Sequence, residues 1–141
     1  LEVIARLEPL ARTKSVRLKL DLFSEHLEVL GDESLLQSLF QNLVDNAVKF
    51  SPPGQTVAVT VREQSAGALE IAVRDHGPGI PAEALPKIFE RVYRGRAAST
   101  RAPGFGLGLA IAKRVADANG SSLEVLSSER GTEFRTTIKK V

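Results

Sequence analysis

The chain contains no cysteine and no methionine among its 141 residues. Without cysteine there is neither a disulfide framework nor a thiolate metal site, and nothing marks a redox compartment. Without methionine, and with Leu1 at its start, the sequence reads as an excised piece of a longer polypeptide. No apolar run is long enough to form a membrane-spanning helix, and no signal-peptide pattern opens the chain. An excess of one charge sign is also missing. The 19 basic and 17 acidic residues leave a net charge of +2, too balanced for an electrostatic nucleic-acid binder. Repeats and low-complexity tracts are absent. What remains is ordinary for one soluble globular domain, with 43% hydrophobic and 26% charged residues, enough to bury a core.

Apolar periodicity divides the chain. Residues 1–14 have helix-like spacing up to Pro9 and then turn basic, as expected for the tail of a preceding segment; the domain proper is expected over 15–141. Val16, Leu18, Leu20 and Leu22 alternate with Arg17, Lys19 and Asp21, the period of a strand with one wet face. Asp32 is placed to cap a long helix that ends near Phe50, where S-P-P-G stops it. Alternation returns at Val57, Val59 and Val61, at Leu69, Ile71 and Val73, and around 121–127 and 133–138. A second helix is predicted over about 107–119, closed by Gly120. Strands with one polar face need a single covering layer. The fold class is therefore α+β: a two-layer α/β sandwich with a mixed, mostly antiparallel sheet under helices. Residues 92–106 have no apolar period, so a lid, a binding loop or a disordered segment is expected there.

Four short constellations carry chemistry. In F-Q-N-L-V-D-N-A-V-K-F at 40–50, Leu35, Leu36, Leu39, Phe40, Leu43 and Ala47 make the predicted buried stripe, with Asn42, Asn46 and Lys49 on its flank. An Asn pair can be a mere polar helix edge. It can also offer carboxamide oxygens to a hard cation such as magnesium, with the lysine meeting an anion. In R-D-H-G-P-G-I at 74–80, alternation turns Asp75 inward, where a carboxylate needs a donor. Gly77 and Gly79 then let backbone come close to a planar ligand, or simply make a tight turn. A carboxylate so placed suits the exocyclic amine of a purine. G-F-G-L-G-L-A at 104–110 leads into a helix, where free N–H groups attract phosphate. It is neither a P-loop nor a dinucleotide fingerprint. K-I-F-E-R-V-Y-R at 87–94 opens the most basic neighbourhood, either a solvated surface or a source of one polyphosphate-binding arginine.

In this order the segments resemble the N, G1, F and G2 boxes of the histidine-kinase catalytic domain, within the superfamily shared with gyrase and MutL. G-T-E-F at 131–134 is similar to the family's closing strand. The resemblance covers about residues 15–141, and although each box is weak alone, their order and spacing are specific. It implies the Bergerat fold, with ATP under a lid. By motif position, Asn46 would ligate magnesium with Asn42 in support, Lys49 would reach phosphate, and Phe50 would lie against adenine. Asp75 would accept from the adenine amine, with Gly77 and Gly79 shaping that pocket and Arg94 at the lid hinge. Gly104, Gly106 and Gly108 would close the lid on the phosphates. Ile80, Phe105, Leu107, Leu109 and Thr132 would complete the ATP-binding set.

Asn42 stands where the hydrolytic members of the superfamily carry a water-activating glutamate. A carboxamide takes no proton at neutral pH, which points to phosphoryl transfer over hydrolysis. The family's acceptor histidine and its S-x-x-H-E-type helix are missing. His26 lies in a polar turn, and His76 lies at the base end of the ligand, so neither is placed to act. The resemblance thus implies partners outside this chain: a histidine-bearing dimerisation domain, a homodimeric parent and a downstream response regulator, with no nucleic acid. A cytoplasmic location follows from it, with no membrane contact by this piece and a parent that could be anchored. A related serine kinase of the anti-sigma type is one alternative, disfavoured by the F box and the long basic lid. A nucleotide-responsive interaction module without transfer is another, disfavoured by intact Asn46, Asp75 and G2 glycines.

Overall fold

The computed structural model describes residues 2–23, 33–65, 67–77, 79 and 105–139. In chain order the elements are α1 (Glu2–Thr13), β1 (Arg17–Leu22), α2 (Glu33–Phe50), β2 (Thr56–Ser65), β3 (Ala68–Arg74), α3 (Phe105–Ala118), β4 (Ser122–Ser128) and β5 (Gly131–Lys139). The strands form one sheet in the order β1-β2-β3-β5-β4. β1 and β2 run parallel, with α2 in the connection between them, and all other pairings are antiparallel. The mixed, mostly antiparallel sheet under helices is the architecture expected from the alternation.

Register explains why one face is dry. Leu20, Val59, Val73, Phe134 and Val125 stand side by side across all five strands. Val73 at the centre of this row and Phe134 beside it are each 1% exposed. The opposite face carries charge: Arg62 faces Glu70, Arg74 faces Glu133, and Arg135 faces Glu124. Such cross-strand opposite-charge pairs are favourable on a wet surface. The helices therefore cover only the apolar face, and α2 packs on both α1 and α3.

Two details differ from the sequence reading. Helix α1 continues through Pro9 to Thr13, although proline removes an intrahelical donor. Leu7 and Ala11, one turn apart, are buried in the shared core, and their packing offsets the lost bond. On α2, Leu35 is 42% exposed and Phe40 only partly buried, while Val44 and Val48 are buried. The apolar stripe is thus rotated away from Leu35. Asp32, the predicted cap, lies outside the described residues.

Helices α1 and α3 end in the same way. The amide of Val16 donates to Ala11 O at 2.9 Å, and that of Ser121 donates to Ala116 O at 2.8 Å. Each is the long bond of a Schellman motif, which needs a left-handed residue at C′. At the end of α3 that residue is Gly120, with φ 69°; at the end of α1 it is Ser15, with φ 60°. A side chain in this conformation is strained, and Ser15 is exposed. Ser15→Gly should therefore raise stability by about 1 kcal/mol, and Gly120→Ala should lower it by about as much. Urea unfolding of the two variants tests this pair, and a lower midpoint for Ser15→Gly would contradict it.

Candidate functional site

β3 ends at Arg74, and the next inward position is Asp75, 3% exposed. Its amide donates to Thr132 O at 2.9 Å, extending the β3–β5 pairing by one residue. Its Oδ1 accepts from Gly77 N at 2.8 Å and from Thr132 N at 3.2 Å. Oδ2 takes no hydrogen bond from a described residue. Burial pushes the carboxyl pKa up, opposed by the Gly77 and Thr132 amides and then by the charges of His76 and Arg74. Thr132 is itself buried, and its hydroxyl lies 3.1 Å from Ser127 Oγ.

The turn after Asp75 is wedged between two elements. A Cβ at Gly77 would overlap the carbonyl oxygen of Phe50, and one at Gly79 (φ 82°) would overlap that of Ser128. Only glycine lets the turn touch the end of α2 on one side and the β4–β5 hairpin on the other. Asp75, Gly77, Thr132 and Phe50 are therefore contiguous.

Along α2, Asn46 lies one turn before Phe50 and is 8% exposed; Asn42 is one turn earlier and partly exposed. Lys49 pairs with Asp45 at 3.1 Å, an i, i+4 contact within the helix. Among the described residues no group of three His, Cys, Asp or Glu could hold a metal ion. Magnesium fits this donor set only as an ion that takes one or two carboxamide oxygens and completes its shell with phosphate and water. The first turn of α3 holds Phe105, Gly106, Leu107 and Gly108, with no acidic residue there to compete for an anion. Leu109 is fully buried in the core. Ile80, Arg94 and Gly104 lie outside the described residues, as do 80–104 as a whole and His26.

Two residues that contribute here escaped the motif reading. Gly131 has φ 138°, and a Cβ there would overlap the Asp75 carbonyl oxygen, so it holds β5 against the strand end that carries Asp75. Its signal was available, a glycine opening the G-T-E-F strand. Lys14 reaches the C-terminal carbonyls of α2, with Nζ 3.1 Å from Val48 O. No local pattern announces that contact.

Residues 31–141 match the family described as histidine kinase-, DNA gyrase B-, and HSP90-like ATPase. The chain is 41% identical over 133 residues to the swarming motility regulation sensor protein RssA of Serratia marcescens, covering 93% of this chain and 28% of RssA. Among solved structures, a mycobacterial sensor histidine kinase, MprB, superposes with a TM-score of 0.82 at 34% identity, covering 98% of this chain and 92% of that one. Full-length ShkA in complex with AMPPNP superposes with a TM-score of 0.82 at 30% identity, covering 99% of this chain and 29% of ShkA. The chain thus spans under a third of RssA and of ShkA. With that family model over most of its length, and with these relatives, the chain belongs to the histidine kinase-, DNA gyrase B- and HSP90-like ATPases, as a catalytic ATP-binding domain of the sensor histidine kinase type.

Proposed function

We propose that this domain binds Mg–ATP and delivers the γ-phosphoryl group to a histidine on a separate dimerisation domain, for onward transfer to a response regulator in the cytoplasm. The observation that carries the reading is Asp75, a buried carboxylate whose two backbone donors among the described residues both fall on one oxygen. The second oxygen suits an external N–H donor, and the adenine amine is one. AMPPNP in the ShkA complex supports nucleotide binding at this kind of domain.

Each residue then has a task. Asp75 orients the base, and Gly77 and Gly79 let it approach the backbone. Asn46, with Asn42 in support, would hold magnesium, which would supply positive charge against the polyphosphate. Lys49 would exchange Asp45 for phosphate, and the first-turn amides of α3 would meet the same anion. Arg94 would add a cation. Asn42 offers no basic group to a water molecule, so transfer depends on a nucleophile presented in line by another domain. Among the described residues no helix is long and apolar enough to cross a membrane.

Two experiments test this reading. Asp75→Asn keeps an oxygen for the Gly77 and Thr132 amides but turns an amide group toward the base. ATP affinity should fall about tenfold to a hundredfold by calorimetry, the cost of losing a charged hydrogen bond. The fold should survive. The Asp75 pKa is raised above its ordinary 3.8, so the folded state binds that proton more tightly than the unfolded chain. Its stabilising effect is present below that value and is lost as pH rises through the elevated folded pKa. The nucleotide-free variant should therefore match or exceed the parent in stability at neutral pH and lose that advantage on acidification. A parent that gained stability over the variant as pH rose would contradict this.

For transfer, the chain incubated with labelled ATP and magnesium should remain unlabelled. Adding the histidine-bearing domain of its parent kinase should yield an acid-labile phosphohistidine on that partner. Acid-stable label on a serine would favour the serine-kinase alternative.

A further inference from the structure

Helix α2 runs into Ser51, Pro52 and Pro53. A helix leaves its last carbonyls without intrahelical donors, and the residues that follow usually supply some. Ser51 N does so, donating to Ala47 O at 3.1 Å and, more distantly, to Val48 O at 3.4 Å. The next two donors in the same i to i−4 sense would be the amides of residues 52 and 53, onto Val48 O and Lys49 O. Both residues are proline and have no N–H. The Lys14 ammonium donates to these same two carbonyls, at 3.1 Å to Val48 O and in a second contact to Lys49 O. A cation at a helix C-terminus also complements the partial negative charge there.

The contact is built from both sides. Lys14 closes α1, its own amide bonded to Leu10 O and Ala11 O at 3.2 Å each. The turn after α2 is tied back to the same place, with Gly54 N donating to Ser15 O at 2.8 Å and Arg17 N to Gln55 O at 3.0 Å. Burial lowers the Lys14 pKa, and the nearby charge of Lys49 lowers it further. The residue after Lys49 is Phe50, whose carbonyl lies against Gly77, which in turn donates to Asp75.

We infer that Lys14 is a positioning residue for the nucleotide site: its ammonium supplies the hydrogen bonds that Pro52 and Pro53 cannot, and so fixes the last turn of α2, with Lys49 and Phe50, against the turn that holds Asp75. This rests on the reading of that turn as part of the ATP site. Lys14 touches no substrate. It acts through the helix end it caps.

The proline origin of the need gives a test that general destabilisation would not pass. Lys14→Met keeps the apolar stem and removes the donor; it should weaken Mg–ATP binding by about tenfold, the scale of one charge-assisted hydrogen bond. Lys14→Arg, which retains donors, should restore most of the affinity. In a Pro52→Ala/Pro53→Ala background, where the chain recovers its own amides, Lys14→Met should be nearly silent. That comparison remains decisive even if Lys14→Met alone does not fold. Gly120→Ala, remote from the site, should lower stability without changing affinity. Unchanged binding in Lys14→Met, equal losses in both proline backgrounds, or an affinity loss in Gly120→Ala matching that of Lys14→Met would overturn the inference. A parent chain that fails to bind ATP would instead overturn the functional reading on which it rests.

Discussion

Burying a carboxylate is costly unless donors reach it, and among the described residues Asp75 has two, both from backbone and both on Oδ1. Meeting that requirement constrains much of what surrounds it. Thr132 must present its amide from β5, which fixes the register of the strand pair at its end. Gly77 must fold back within two residues, and the Phe50 carbonyl leaves no space for a side chain there. Gly131 must lack one too, because the Asp75 carbonyl occupies its place. The carboxylate is thus held by the sheet, by the end of α2 and by the β4–β5 hairpin together, and its remaining oxygen is committed to none of them. A group raised in pKa and held this rigidly is a common feature of binding sites, since a ligand donor recovers what burial cost.

Helix α2 links the base contact proposed for Asp75 to the phosphate chemistry proposed for Asn42, Asn46 and Lys49. Its dry face, with Leu36, Leu39, Leu43, Val44, Ala47 and Val48, is anchored in the core. Ala47 and Val48 carry that anchor into the last turn, and two prolines follow it. The Lys14 contact and the bonds of the 51–55 turn to Ser15 and Arg17 take over there. This helix end is therefore held in part by α1, the segment whose sequence looked least like part of the domain.

What the sequence disclosed follows from the range over which each constraint acts. Strands were legible because alternation is local and one sheet face is uniformly wet. Asp75 was legible for the same reason, since counting by twos from Leu69 turns it inward. The end of α3 was legible in Gly120, whereas the equivalent end of α1 was hidden by Ser15 adopting a glycine conformation. Leu35 was misplaced because a stripe of leucines fits more than one rotation of a helix, and packing against α1 and α3 chose between them. Helix-like spacing was legible only up to Pro9 because propensity is local, while the burial of Leu7 and Ala11 that carries the helix on is tertiary. Lys14 was invisible: its partner Val48 is 34 residues away, and nothing near either residue signals the other.

The central claim is that Asp75 reads the base as a hydrogen-bond acceptor, and base discrimination measures this most directly. Adenine presents an amine at its six position, whereas guanine presents a carbonyl oxygen that would face the carboxylate acceptor to acceptor. Calorimetric titration of the chain with Mg–ATP and Mg–GTP should give GTP an affinity weaker by at least about tenfold, and Asp75→Asn should narrow that gap. Equal affinity for the two nucleotides in the parent chain would contradict the account.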